Sequence, residues 1–124
     1  MVGFIILSWN QRQITLECLA SVMQQDYPSF SVLVVDNGST DGSPEAIRAS
    51  FPQVEVLELE ENMGYSKGNN AGMAHLLKRD YQYLFLLNND TIVDPAMLRQ
   101  LVAVAQSDPR IGMVGPTMYF ADPP

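Results

Sequence analysis

Residues 30–42 read FSVLVVDNGSTDG, a Val-rich apolar run that ends on Asp36 and continues into a polar turn. A short run that is apolar at every position is typical of a strand buried on both faces, as in parallel sheets. Residues 3–8 (GFIILS) form a second such run, and residues 14–23 between the two carry apolar side chains at helical spacing. The sequence therefore predicts a strand, a helix and a strand.

The same alternation continues along the rest of the chain. Helices are predicted over 44–50, 64–78 and 95–106, and strands over 54–59 (VEVLEL), over 83–87 (YLFLL, a buried strand) and from 113–115. Strands that alternate with helices of this length pair in parallel through right-handed crossovers. We therefore predict an α/β fold with an open, mostly parallel sheet and helices on both faces.

Size and composition indicate one globular domain, residues 1–124, with 47% hydrophobic and 17% charged residues. The net charge of −7 argues against nucleic-acid binding, because that binding depends on Lys and Arg. The single cysteine, Cys18, lies among apolar residues and is interpreted as core packing. The chain shows no leader with a basic start and no stretch near the ~20 apolar residues of a membrane span, so a cytoplasmic location is expected.

Polar residues follow each of the first four predicted strands at its carboxyl end. The four groups are 8–10 (SWN), 36–39 (DNGS), 61–64 (ENMG) and 88–90 (NND). Because ligands of open α/β sheets bind beyond the carboxyl ends of the strands, we expect the four loops to converge on one site.

Asp36 has two interpretations that its position alone does not separate. Its carboxylate either caps the turn of residues 37–42 through backbone N–H groups, or accepts a hydrogen bond from a ligand such as the imide N–H of uracil or thymine. Trp9 is similarly open: it stacks on a base or covers the edge of the sheet, and the residues alone favour packing.

Asn88, Asn89 and Asp90 follow an apolar strand and offer one carboxylate and two carboxamides. Mg²⁺ accepts one or two protein carboxylates and takes its other ligands from water or phosphate. The alternative is a turn followed by a helix cap, and Asp94 before Pro95 suits the cap better. Asp90 is then free to bind a metal.

Residues 64–72 (GYSKGNNAG) place glycines, amides and Lys67 at the start of a predicted helix. Free N–H groups and the helix dipole favour an anion there, with Lys67 as an added charge. Packing of small residues against the sheet is an equal alternative. His75, the only histidine, has no second ligand at metal spacing and is interpreted as structural.

Together the four loops resemble the family 2 glycosyltransferases of the GT-A fold, particularly the bacterial branch that includes rhamnosyltransferases. Four motifs, which span most of the chain, carry the resemblance: IILSWNQ (5–11), VVDNGSTDGS (34–43), ENMGYSKGNNAGM (61–73) and LFLLNNDTIVDP (84–95). The resemblance implies an N-terminal nucleotide-sugar-binding domain that ends before the acceptor-binding half.

The resemblance also implies roles for individual residues. Asp90 would bind a divalent cation, Mg²⁺ or Mn²⁺, with Asn88 and Asn89 adjacent and Asn88 in place of the first Asp of the family's Asp-x-Asp motif. No catalytic residue is assigned, because the family's general base lies in the acceptor half. The implied nucleotide-binding residues are Ser8, Trp9, Asn10, Asp36, Asn37, Gly38, Asn62, Gly64, Lys67 and Asn70.

A glycosyltransferase of this kind would move a sugar from a dTDP- or UDP-sugar to a saccharide or lipid-linked acceptor, with inversion and metal assistance, in cell-surface polysaccharide synthesis. The chain by itself is expected to be inactive, to form a homodimer through exposed apolar surface, and to belong to a full-length protein peripheral to the membrane. Two alternatives are a non-catalytic nucleotide-binding or regulatory module and a sugar-phosphate nucleotidyltransferase. The second lacks support because residues 9–11 (WNQ) stand where its Gly-rich basic signature belongs.

Overall fold

The computed structural model describes residues 1–121 as four strands and four helices that alternate along the chain. Residues 122–124, which the predicted domain includes, lie outside the described residues. All strand pairs are parallel, in the order β3-β2-β1-β4. The elements are β1 (Val2–Ser8), α1 (Arg12–Val22), β2 (Phe30–Asp36), α2 (Ser43–Ser50), β3 (Glu55–Glu58), α3 (Tyr65–Leu76), β4 (Tyr83–Asn88) and α4 (Met97–Ser107). The predicted fold class is confirmed.

Helices cover both faces of the sheet. Phe4 and Ile6 of β1 pack in a core that includes residues of α1, α2 and α4. Ile5, which lies between them in the strand, packs on the other face with Leu76 of α3. Because neighbouring residues of a strand point to opposite faces, a strand that is apolar at every position needs cover on both sides. This explains why β1 is buried at every position except the half-buried Leu7, and why β2 is buried over residues 32–36, as predicted.

Helix α3 lies close to the sheet because two of its buried positions are glycines. A Cβ atom at Gly72 would lie 2.7 Å from Ile5 Cγ2 and 2.8 Å from Val35 Cγ2. A Cβ atom at Gly68 would lie 2.5 Å from Leu7 Cδ1. The small residues of α3 therefore serve packing, which was one of the two interpretations of this segment.

Two predictions about the last part of the chain are wrong. The strand predicted as buried, β4, pairs only with β1 within the described residues, and its side chains are half-buried or exposed, with Leu86 43% exposed. Residues 113–115 do not begin a strand, and Met113 is 94% exposed. A strand needs a neighbouring strand as its hydrogen-bonding partner, and residues 112–120 have no backbone hydrogen bond in the part of the chain that the structure describes.

Other boundaries shift by a few residues. The third strand and third helix are shorter than predicted, at Glu55–Glu58 and Tyr65–Leu76. The last helix begins at Met97 because Pro95 and Ala96 form a turn, in which Asp94 Oδ1 accepts the Ala96 N–H at 2.8 Å. Asp94 therefore caps this turn and not α4 itself, whose N-cap residue is Ala96 without a side-chain cap, so the predicted helix cap is wrong. Within residues 1–121, no helix has the length and apolar character needed to cross a bilayer.

Candidate functional site

The site lies where the order of the strands reverses. The chain builds outward from β1 to β2 and β3, then crosses the opposite face through α3 and adds β4 on the other side of β1. Crevices at such switch points bind ligands in open α/β sheets. Here a cleft of about 490 Å³ opens, and residues from all four loops line it: Trp9, Asn10, Gln11, Asn37, Asn62, Gly64, Tyr65, Asn88, Asn89 and Asp90.

Asparagine side chains hold the loops of the cleft together. Asn10 Oδ1 accepts the Thr40 N–H at 3.0 Å and so joins the first loop to the second. Asn37 Nδ2 donates to Asn62 Oδ1 at 3.1 Å, and Asn37 Oδ1 accepts the Met63 N–H at 2.9 Å, which joins the second loop to the third. These predicted nucleotide-binding side chains therefore have protein partners and act mainly on the shape of the cleft.

Trp9 is presented to the cleft by an unusual backbone turn. Asn10 and Gln11 both adopt left-handed conformations, with φ of 53° and 54°. Such conformations cost roughly 1–3 kcal/mol each in residues other than glycine and occur at functional sites. Trp9 is 52% exposed and lines the cleft, so the packing interpretation that the residues alone favoured is wrong.

The two oxygens of Asp36 have different surroundings. Oδ2 accepts the Ser39 N–H at 2.9 Å, so the capping interpretation holds for this oxygen. Oδ1 is buried and has no hydrogen-bond partner. An unpaired buried acceptor costs roughly 1–3 kcal/mol, and a hydrogen bond from a ligand donor would remove that cost.

Gly38 allows the turn after Asp36 to approach the third loop closely. It has a φ of +81°, and a Cβ there would lie 2.8 Å from the Glu61 carbonyl carbon.

Helix α3 begins at the cleft without a side-chain cap. Gly64 has a φ of +83°, and its N–H donates to Asn62 Oδ1 at 2.8 Å. The N–H groups of residues 65–67, in the first helical turn, have no partner within residues 1–121 and can therefore bind an anion. Lys67 and Asn70 are exposed on α3 but do not line the cleft.

Ser8 does not present its side chain to the cleft either. It is 1% exposed, and its hydroxyl lies 3.0 Å from Thr15 Oγ1. The predicted site residues therefore divide into those that face the cleft and those, such as Ser8, that support it from below.

Asp90 and Asn88 present the accessible polar side chains of the fourth loop. Both are exposed, and neither side chain has a hydrogen bond or ion pair within residues 1–121. The described residues contain no group of three or more His, Cys, Asp or Glu that could hold a metal. One carboxylate with a neighbouring amide oxygen fits Mg²⁺ or Mn²⁺ when phosphate oxygens complete the coordination. The donor set thus suits a cation that arrives with a diphosphate.

The underside of the fourth loop is tied to the protein. Thr91 Oγ1 donates to the Asn88 carbonyl oxygen at 2.8 Å, and Cys18 Sγ lies 3.7 Å from the same oxygen. Cys18 is fully buried, as predicted, and burial raises the pKa of its thiol above the ordinary value. Asn89, predicted to lie beside the metal, donates to Thr15 Oγ1 at 3.0 Å.

His75 takes no part in the cleft. Its Nε2 lies 2.6 Å from Glu55 Oε1, and Arg79 Nη1 lies 2.7 Å from Glu55 Oε2. The Arg79 hydrogen bonds lower the pKa of Glu55 below its ordinary value. The cluster ties α3 to β3, so the structural interpretation of His75 is confirmed.

Sequence reasoning missed three residues of the cleft, Leu7, Gln11 and Tyr65. All three lie inside the motifs quoted above, but none is charged, and side-chain type alone gave no signal. Tyr65 is 60% exposed at the first turn of α3.

Comparison with known proteins identifies the family of the chain that forms this cleft. The model of the family described as Glycosyl transferase family 2 matches residues 4–123. The chain belongs to glycosyl transferase family 2. An N-acetylglucosaminyl-diphospho-decaprenol L-rhamnosyltransferase of Mycobacterium tuberculosis is 33% identical over 112 residues, which cover 84% of this chain and 36% of the relative. A poly-beta-1,6-N-acetyl-D-glucosamine synthase of Staphylococcus epidermidis is 24% identical over 115 residues, 91% of this chain and 27% of that protein.

Solved structures give the same picture. A mannosyltransferase from Pyrobaculum calidifontis, in complex with GDP-Man and Mn²⁺, has a TM-score of 0.80 and 27% identity over 90% of this chain and 33% of that chain. Staphylococcus aureus TarS 1-349, in complex with UDP-GlcNAc, has a TM-score of 0.74 and covers 98% of this family 2 chain; at 23% identity it supports the fold alone. The chain spans between 27% and 36% of the length of the curated relatives described above.

Proposed function

We propose that this family 2 chain forms the donor-binding part of a metal-dependent, inverting glycosyltransferase whose donor is a nucleotide-diphospho-sugar. The observation that supports it most is the cleft at the β1/β4 switch point, with exposed Trp9 in one loop and the unpaired Asp90 carboxylate in another. An aromatic face binds a base, and a carboxylate binds the cation that accompanies a diphosphate. The family assignment favours this function over the regulatory and nucleotidyltransferase alternatives.

Base recognition is proposed for Trp9 and Asp36. The indole stacks on the base, and Asp36 Oδ1 accepts the imide N–H, which would supply the donor that this buried oxygen lacks. Because Oδ1 has almost no accessible surface, the base reaches it only after a small shift of the groups that cover it. Uracil and thymine both offer the imide N–H, so UDP- and dTDP-sugars are the proposed donors.

The diphosphate is proposed to lie between the start of α3 and the fourth loop. The free N–H groups after Gly64 face one side of it, and Asp90 with Asn88 hold the divalent cation on the other. A cation held there would supply positive charge to neutralise the departing nucleoside diphosphate. Lys67 adds positive potential from the exposed surface of α3, and Asn70 completes that polar surface.

Transfer itself requires an acceptor hydroxyl that a general base deprotonates for attack on the anomeric carbon. Asp90 is the one carboxylate that lines the cleft among the described residues, and the proposal gives it to the cation. We therefore propose that the base and the acceptor site, for a saccharide or a lipid-linked acceptor, belong to the part of the longer relatives that this chain does not represent. The product is proposed to be a cell-surface polysaccharide made on the cytoplasmic side of the membrane.

Calorimetric titration of UDP, dTDP and GDP, each with and without Mn²⁺, tests the donor site. The variant Asp90→Asn keeps the shape of the side chain and removes its charge. Asp80→Asn is the matched control. Asp80 is also exposed, but it precedes β4 and so lies at the amino end of that strand, away from the cleft at the carboxyl ends. We expect Mn²⁺-dependent binding of UDP or dTDP that Asp90→Asn abolishes and Asp80→Asn retains. Absence of binding by all three nucleotides, or equal binding in both variants, would overturn the proposal.

Self-association is proposed for the exposed apolar surface beyond β4. Leu86 is 43% exposed, and Met118, Tyr119 and Phe120 are 86–88% exposed. Exposed apolar patches of this kind mark interaction sites. Light scattering is expected to show a homodimer, and a monomer at high protein concentration would contradict this part of the proposal.

A further inference from the structure

We infer that Asn89 is a positioning residue: its amide holds the fourth loop against the first, so that the Asp90 carboxylate and the Trp9 ring keep a fixed relation across the cleft. This inference rests on the proposed function, because it explains how the two ends of the donor site are aligned. Neither residue type nor the family match assigns this role to Asn89.

The hydrogen bonds of Asn89 define its role. Nδ2 donates to Gln11 Oε1 at 3.2 Å and to Thr15 Oγ1 at 3.0 Å. Both donor hydrogens of the amide are therefore directed at the first loop and at the first turn of α1. A residue between two cation-binding side chains would be expected to face the cation, but this amide nitrogen faces the protein.

Thr15 is the buried anchor of this arrangement. It is fully inaccessible to solvent, and its Oγ1 donates to the Gln11 carbonyl oxygen at 3.1 Å. Thr15 Oγ1 also lies 3.0 Å from Asn89 Nδ2 and 3.0 Å from Ser8 Oγ. A hydroxyl donates one hydrogen and accepts with two lone pairs, so Thr15 Oγ1 has the capacity for all three of these contacts. Removal of one acceptor from such a buried network leaves an amide donor unpaired.

The network has the right position to align the site. Gln11 and Asn10 form the left-handed turn that presents Trp9, and Asn89 adjoins Asp90 in the chain. Asn88 and Asp90, the neighbours of Asn89, keep their side chains free of protein partners within residues 1–121. The fourth loop thus alternates free, anchored and free positions, and the anchor sets where the two free groups point.

Thr15→Val tests the inference without changing any residue of the cleft. Valine has nearly the shape of threonine but lacks the hydroxyl, whereas Thr15→Ser keeps the hydroxyl and serves as the matched control. Ile47→Val, a buried change in α2 far from the cleft, controls for a general loss of stability. The assay is UDP binding with and without Mn²⁺, followed by the fluorescence of Trp9, the only tryptophan.

The expected result separates alignment from stability. Loss of one buried hydrogen bond in Thr15→Val should lower the enhancement of UDP binding by Mn²⁺ roughly fivefold, with metal-free binding within twofold of the unchanged chain. Thr15→Ser and Ile47→Val should keep the full enhancement. An unchanged enhancement in Thr15→Val would overturn the inference and leave the proposed function standing, whereas absence of UDP binding by the unchanged chain would overturn both.

A second measurement does not require a ligand. In ¹⁵N-labelled protein the side-chain amide of Asn89 should be rigid on the picosecond to nanosecond timescale in the unchanged chain and in Thr15→Ser, and mobile in Thr15→Val. An Asn89 amide that is equally rigid in Thr15→Val would show that Thr15 does not anchor it, and would overturn the inference even if Thr15→Val lowered UDP affinity.

Discussion

Substitution of Gly72 by alanine tests the packing of α3 on the sheet. The new Cβ would lie 2.7 Å from Ile5 Cγ2 and 2.8 Å from Val35 Cγ2. Ile5 and Val35 are fully buried and branched at Cβ, so their methyl groups have little rotational freedom with which to give way. Helix α3 must therefore move away from the sheet or force both side chains off their rotamers.

The magnitude follows from two opposed effects. Overpacking of a core costs typically 1–3 kcal/mol. Because two close contacts arise at once with side chains that cannot move away, we expect a cost of about 3 kcal/mol, at the upper end of that range. Replacement of glycine by alanine inside a helix recovers about 1 kcal/mol. We expect a net loss of about 2 kcal/mol in the free energy of unfolding. For a chain of this size that corresponds to a fall in Tm of about 8 °C.

Urea and thermal unfolding of Gly72→Ala, followed by circular dichroism, measure this loss. Gly115→Ala is the matched control, because a Cβ there has no atom within 4 Å and the backbone is not left-handed. The control should differ from the unchanged chain by less than about 0.5 kcal/mol, as surface substitutions do. A Gly72→Ala chain as stable as the control would refute the close approach of α3 to β1 and β2.

Three further predictions concern other parts of the molecule. Gly38→Ala should lower the free energy of unfolding by at least about 2 kcal/mol in urea titration, because alanine must adopt the φ of +81° and meet the Glu61 backbone. The hydrogen bonds from Arg79 lower the pKa of Glu55 in the folded state. The ionised Glu55 therefore stabilises the fold above pH 4.5, and this contribution is lost as pH falls through the lower, folded-state pKa. In urea titrations at acid pH, the free energy of unfolding should decline less steeply in Glu55→Gln than in the unchanged chain. Cys18 should react with a thiol reagent only at the rate of unfolding, and rapid labelling of the native chain would contradict its burial.

The sequence was sufficient for the elements that are defined by their own residues. β1 and β2 each contain a continuous apolar run, residues 4–7 and 32–35, and a strand of that kind has few alternatives to the centre of a covered sheet. β4 is equally apolar in sequence, yet it lies at the edge, because its burial depends on what pairs beyond it rather than on its own side chains. The same dependence explains why residues 113–115 were predicted as a strand and are not one.

For the site, the sequence predicted which loops meet but not how each side chain is used. Four asparagines lie in these loops, and residue type alone predicts ligand contact equally for each of them: Asn10, Asn37, Asn88 and Asn89. The distances separate them: Asn10 and Asn37 join neighbouring loops, Asn89 anchors the fourth loop, and only Asn88 is left beside Asp90. Partners that lie between 25 and 74 residues away in the chain decide these roles, and no local pattern reports such contacts.

The division between anchored and free groups bears on how a cleft with so little positive charge would bind a diphosphate. Asp90 is the one charged side chain that lines it among the described residues, and the charge is negative. Without a cation, the carboxylate and the phosphates repel each other, and the N–H groups of α3 alone offset that repulsion only in part. With a cation between them the same carboxylate becomes attractive. Binding should therefore depend on the metal more steeply than in a site with several basic residues, and precise placement of Asp90 by Asn89 matters for that reason.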